Sequence, residues 1–188
     1  MNAFLVSTGV VALGEIGDKT QLLALMLAMR FRKPVPVILG ILVATIANHL
    51  LAGLVGAFVR DLIGPDVLRW VLGASFVAVG IWALFPDTID EDEATPRGDW
   101  GVFGVTVVTF FLAEIGDKTQ LATVMLAARF DSLVAVVSGT TLGMLIADVP
   151  AVLLGRLASP KLPLKWIRLA AAAVFIALGA GLLLGLGS

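Results

Sequence analysis

Two stretches of this chain carry the same eight residues. Glu15-Ile16-Gly17-Asp18-Lys19-Thr20-Gln21-Leu22 recurs as Glu114-Ile115-Gly116-Asp117-Lys118-Thr119-Gln120-Leu121. Each copy offers two carboxylates, an ammonium, a hydroxyl and an amide, a set able to hold and balance a cation. On an unbroken helix, Glu15 and Asp18 are i, i+3 neighbours sharing one face, and Glu15 and Lys19 at i, i+4 can also meet. Thr20, Gln21, Thr119 and Gln120 add neutral oxygens. Gly17 and Gly116 admit close approach of an ion or a second backbone, and let a helix unwind to expose carbonyls.

Charge arithmetic points to the guest. Glu15, Asp18, Glu114 and Asp117, less Lys19 and Lys118, leave −2, which one divalent cation neutralises. Carboxylate, hydroxyl, amide and carbonyl oxygens suit Mg²⁺, Ca²⁺ or Mn²⁺ better than thiophilic metals. Cysteine is absent, so thiolate sites, cysteine nucleophiles and disulfides are excluded. The bland alternative is a pair of acid–lysine staples between helices, but two carboxylates per lysine is more acid than a staple requires. Met26 and Met125 are read as packing residues. Met26 lies 11 residues beyond Glu15, about 16 Å along an intact helix, too far for a shared coordination shell.

A second polar pair comes later. His49, the single histidine, is equivalent to Asp148 in the repeat, with Asn48 beside it and Pro150 just beyond Asp148. His49 can titrate near neutral pH, and Asp148 can bind metal or exchange a proton. Lys19, Lys118, Asn48, His49 and Asp148 are therefore candidates for proton coupling or for support of the metal ligands. The competing reading makes them interior polar groups that pin helix packing.

The elements that position these groups must lie in a membrane. Of 188 residues, 59% are hydrophobic and 14% charged, with a mean hydropathy of +1.03. A soluble domain carries about 25% charged residues. The net charge of −1 gives no footprint for nucleic acid. Six apolar segments, roughly 3–29, 35–59, 67–85, 101–128, 133–157 and 167–186, are long enough to cross a bilayer, and lipid, which cannot satisfy backbone polar groups, demands helices. No positive n-region precedes the first segment, which is expected to be a retained span rather than a signal peptide. Ionisable groups near the centres of the first and fourth segments each cost about 2.5–3.5 kcal/mol or more, so they must face one another, water or an ion.

The duplication extends well past the motif. An offset of 99 residues, without a gap, also pairs Met26 with Met125, Gly40 with Gly139, Gly56 with Gly155, Arg69 with Arg168, Phe76 with Phe175 and Gly80 with Gly179. Residues 1–89 and 100–188 read as two copies of one three-helix unit, joined by an acidic, solvated linker at 90–99. Three spans is an odd number, so the second copy enters from the opposite side, giving an all-α, six-helix transmembrane bundle of two inverted repeats. Loop charge sets the orientation. Arg30, Arg32, Lys33, Arg97, Arg156, Lys161, Lys165 and Arg168 fall on one side, against Arg60, Arg69 and Arg129 on the other. The linker is thus expected in the cytoplasm and both termini outside.

The doubled motif resembles the Glu-φ-Gly-Asp-[Lys/Arg]-[Thr/Ser] signature of a cation exporter family. That family includes bacterial manganese exporters of the MneA type and the Golgi manganese/calcium–proton antiporters of eukaryotes. The resemblance covers almost the whole chain, and both copies match without departure. It implies export of Mn²⁺ or Ca²⁺ in exchange for protons, with Glu15, Asp18, Glu114 and Asp117 forming the site. The length, with no extra N-terminal segment, resembles the bacterial members, which implies a bacterial inner membrane. The expected partners are the divalent ion, protons and the lipid bilayer, with no resident cofactor. A cation channel with a carboxylate constriction is the alternative. An enzyme is disfavoured, because the loops are too short to build a substrate site.

Overall fold

A computed structural model of the chain describes residues 2–85, 101–154 and 164–186. The acidic linker at 90–99 and the loop cations Arg97, Arg156 and Lys161 lie outside the described residues. The described chain is helical, with α1 (Ala3–Glu15), α2 (Lys19–Phe31), α3 (Pro34–Leu62), α4 (Pro65–Trp82), α5 (Gly101–Glu114), α6 (Lys118–Arg129), α7 (Leu133–Leu154) and α8 (Leu164–Leu183). The six expected segments thus appear as eight helices among the described residues, because the first and fourth are each broken at the motif.

Local chemistry explains most boundaries. Asn2 caps α1, its Oδ1 accepting from the backbone N–H of Phe4 and Leu5 at 3.1 and 3.5 Å. Pro34 and Pro65 open α3 and α4, where a missing N–H costs nothing. The breaks follow from glycine: Gly17 and Gly116 have φ of 85° and 78°, a left-handed conformation that other residues resist. Each break is a single tight turn, closed by Asp18 N–H on Glu15 C=O at 3.0 Å and by Asp117 N–H on Glu114 C=O at 3.1 Å.

Among the described residues, three helices are long and apolar enough to cross a membrane by themselves: Pro34–Leu62, Pro65–Trp82 and Leu133–Leu154. With 13 residues, α1 rises about 20 Å and cannot span a ~30 Å hydrocarbon core without α2. The packing is matched across the repeat: α1 lies on α7 as α5 lies on α3, α2 meets α7 as α6 meets α3, and α4 pairs with its own equivalent α8. Glycine permits the closest approaches. A Cβ on Gly40 would come within 2.6 Å of Thr106 Cβ, and one on its equivalent Gly139 within 2.6 Å of Phe4 O.

Two buried apolar clusters hold the helices around the motif. One contains Phe76, Met125, Leu126 and Phe175; the other contains Leu27, Ile41 and Phe110, with Met26 packed against it. Both methionines therefore pack, as expected from their place 11 residues beyond Glu15 and Glu114. The outer surface is apolar too: Leu51, Leu54, Val55 and Phe58 of α3 are all at least half or nearly half exposed. Such a band suits lipid rather than water.

Candidate cation site

The two breaks face each other inside the bundle. Glu15 closes α1 and Glu114 closes α5; Asp18 and Asp117 occupy the N-cap positions of α2 and α6. Neither aspartate uses its side chain to cap its own helix. Both turn instead toward the other repeat. Lys118 Nζ donates to Asp18 Oδ1 at 3.1 Å, and Lys19 Nζ stands 3.9 Å from Asp117 Oδ1. Each half thus neutralises an aspartate of the other half. Because the helix is interrupted, Glu15 and Asp18 do not share a face in the way that i, i+3 spacing on a continuous helix predicts, and Lys19 pairs across the repeat rather than with Glu15.

Three carboxylates converge. One oxygen each from Glu15, Glu114 and Asp117 lie within 4.8 Å of one another, and all three residues are buried. Asp18 stays outside this trio, held against Lys118. Both oxygens of Glu15 and of Glu114 lack a hydrogen-bond partner among the described residues. An ionised carboxylate buried in this way costs several kcal/mol unless a cation or a proton meets it. The orphaned oxygens come from both repeats, so the residues present fit a doubly charged guest.

The neutral members divide by role. Thr119 Oγ1 donates to Asp117 Oδ2 at 3.3 Å, whereas the buried Thr20 hydroxyl has no partner among the described residues. Gln21 and Gln120 brace the breaks. Gln21 Oε1 accepts from Gly17 N–H at 2.8 Å while its amide donates to Ala147 O at 2.9 Å. Gln120 Oε1 accepts from Gly116 N–H at 2.7 Å, and its amide donates to Asn48 Oδ1. Asn48 in turn donates to Phe111 O at 2.9 Å. These amides hold the left-handed glycine turns in place and tie them to α7 and α3.

The second polar pair reaches the same place. His49 is fully buried, with Nε2 3.5 Å from Glu114 Oε2. Asp148, its equivalent on α7, is also fully buried, and neither of its carboxylate oxygens has a hydrogen-bond partner among the described residues. The repeat therefore sets an imidazole of α3 against Glu114 and a buried carboxyl at the matching position of α7.

A family model described as the divalent cation/proton antiporter GDT1 matches residues 3–91 and again residues 102–187, once on each copy of the repeat. The chain belongs to that family. Among GDT1-related proteins, a Vibrio cholerae protein named "Putative manganese exporter" is 50% identical over 94% of this chain and 88% of its own length. A GDT1-like protein of Synechocystis is 28% identical over 93% of both chains, and Arabidopsis GDT1-like protein 5 is 26% identical over 95% and 94%. No solved structure matches the chain at a significant level. In this GDT1 chain, the breaks, the crossed Lys–Asp pairs and the orphaned glutamates all come from the duplicated motif.

Sequence reasoning missed two contacts. Asn48 serves as the anchor for Gln120, although its equivalent is Ala147, which does the same work through its backbone carbonyl. Trp82 lies beneath Lys118, with Nζ 5.6 Å from the ring centroid. Neither partner has a signal in the spacing, because each lies on a helix distant in sequence.

Proposed function

We propose that the chain is a secondary transporter that exports divalent cations, Mn²⁺ first and Ca²⁺ second, in exchange for protons across a bacterial inner membrane. The observation that carries this is the convergence of Glu15, Glu114 and Asp117 from two copies of one motif, buried and within 4.8 Å. Membership of a divalent cation/proton antiporter family supports the reaction class, and the name of the Vibrio relative supports manganese. Lys19 and Lys118 balance the two aspartates, which leaves Glu15 and Glu114 to neutralise the ion. Asp117 and Thr20 complete its oxygen shell. When protons replace the metal, they discharge the same carboxylates and let the empty site return. Asp148 is the further acid that couples proton uptake to metal release.

Packing directions support an inverted second repeat. Gly139 and Gly143 of α7 meet Phe4 and Thr8 of α1 in the same order, so these helices run parallel. Thr106 and Phe111 of α5 likewise meet Gly40 and Asn48 of α3 in order. If each copy's second span reverses its first, α1 parallel to α7 requires α5 antiparallel to α1. Arg60 at the end of α3 donates to Phe130 O at 2.9 Å, joining two turns that this arrangement puts on one side of the membrane. One repeat rocking against the other then exposes the site to either side in turn.

Purified protein in vesicles with an imposed pH gradient tests the reading. Mn²⁺ flux driven by the gradient is expected, with Glu15→Gln and Glu114→Gln variants inactive though folded. Undiminished flux in both variants ends the proposal. Ohmic current without proton coupling assigns the channel alternative instead.

A further inference from the structure

We infer that His49 is a direct nitrogen ligand of the transported ion and sets the preference for a transition metal over Ca²⁺. The inference rests on the transport reading above and names the residue that selects the cargo. Three observations carry it. His49 is fully buried, and neither ring nitrogen has a hydrogen-bond partner among the described residues. A structural histidine in an apolar interior normally satisfies at least one nitrogen. Its Nε2 lies 3.5 Å from Glu114 Oε2, an oxygen equally without a hydrogen-bond partner. Two ligand atoms each about 2.1 Å from one ion stand roughly 3.0–3.5 Å apart, so the observed spacing is that of two neighbouring ligands, and His49 borders the trio of Glu15, Glu114 and Asp117 at Glu114.

The equivalent position across the repeat sharpens the point. There stands Asp148, as fully buried as His49 and likewise without a hydrogen-bond partner for its side chain among the described residues. A shell of oxygens alone suits Ca²⁺, which takes six to eight of them. One imidazole among carboxylates costs Ca²⁺ an oxygen partner and offers a first-row transition ion a donor it binds well. The duplicated motif supplies the charge for any divalent ion, and the unpaired histidine tells one divalent ion from another.

Because His49 is the single histidine, its coordination can be read without ambiguity. Pulsed electron paramagnetic resonance of Mn²⁺ bound to the purified protein should show imidazole nitrogen coupling. That coupling should vanish in His49→Gln protein that still binds Mn²⁺. Mn²⁺ bound to the wild type without imidazole coupling overturns the inference, and this arm requires no variant to fold. In vesicles, the preference for Mn²⁺ over Ca²⁺ should fall by about tenfold or more in His49→Gln. His49→Asp, which rebuilds on this side the acid found opposite, should move the preference further toward Ca²⁺. An unchanged Mn²⁺/Ca²⁺ ratio in both folded variants also overturns it. Wild-type protein that moves no divalent cation defeats the transport reading, a result distinct from transport indifferent to His49.

Discussion

The two motif copies are identical in sequence, yet their surroundings differ. Lys118 is nearly fully buried against Asp18 at 3.1 Å, with Trp82 below it, whereas Lys19 keeps 22% of its side chain exposed and stands 3.9 Å from Asp117. Gln120 is anchored by a side chain, that of Asn48, and Gln21 by the backbone of Ala147. Glu114 has the imidazole of His49 beside it, whereas the equivalent position on α7 holds the carboxyl of Asp148. Pro150 removes a donor from α7 two residues beyond Asp148, with no equivalent in α3, where Leu51 stands. Duplication preserved the frame and the charge; divergence on α3 and α7 made the two sides of the site chemically distinct. Under the proposed exchange this asymmetry is useful, because one pocket then accepts two unlike guests, a metal ion and protons.

The largest expected effects fall where the halves agree. Glu15→Gln and Glu114→Gln should each lower Mn²⁺ flux by about 100-fold or more, since each removes one of the uncompensated charges that hold the ion. If either variant retained half of the wild-type flux, its carboxylate would lie outside the ion's shell. Next come the lysines, where the halves should separate. Lys118→Met removes a buried ammonium 3.1 Å from Asp18 and should cost about 3–5 kcal/mol. Lys19→Met, at a longer and partly exposed pair, should cost about 1 kcal/mol or less. Thermal unfolding in detergent reads both, and equal losses would erase the proposed difference in burial.

Smaller effects probe the braces. Asn48→Ala strips Gln120 of its acceptor and Phe111 O of its donor, and should cost about 1–3 kcal/mol. Hydrogen exchange at Gly116 should then speed up while Gly17, braced through α7, stays protected. Matching acceleration at both glycines would show that the two braces are not independent. Gly17→Ala and Gly116→Ala should each cost about 1–2 kcal/mol, because alanine resists the left-handed turn. Here the halves should behave alike, and a stabilising alanine at either position would mean that the helix prefers to be continuous there.

Much of the site could be read from the chain because duplication is a strong signal. Glu15, Asp18, Glu114 and Asp117 announced themselves by type and spacing, and Phe76 and Phe175, matched at the same offset, are both fully buried. Reading Gly17 and Gly116 as places where a helix could unwind anticipated the breaks. The i, i+3 argument for Glu15 and Asp18 lost its premise for the same reason, since periodicity holds only while the helix does.

Residue type, hydropathy and repeat length are properties of the linear chain, so they alone established a helical membrane protein, a doubled acidic motif and its charge of −2. Which acids meet, which lysine is sheltered, and that His49 faces Glu114 depend on helices brought together from opposite ends of the chain. Such contacts arise from packing among α1, α3, α5 and α7, where no local rule relates position 49 to position 114. Three-dimensional closure turned four similar carboxylates into a converging trio and a paired outlier.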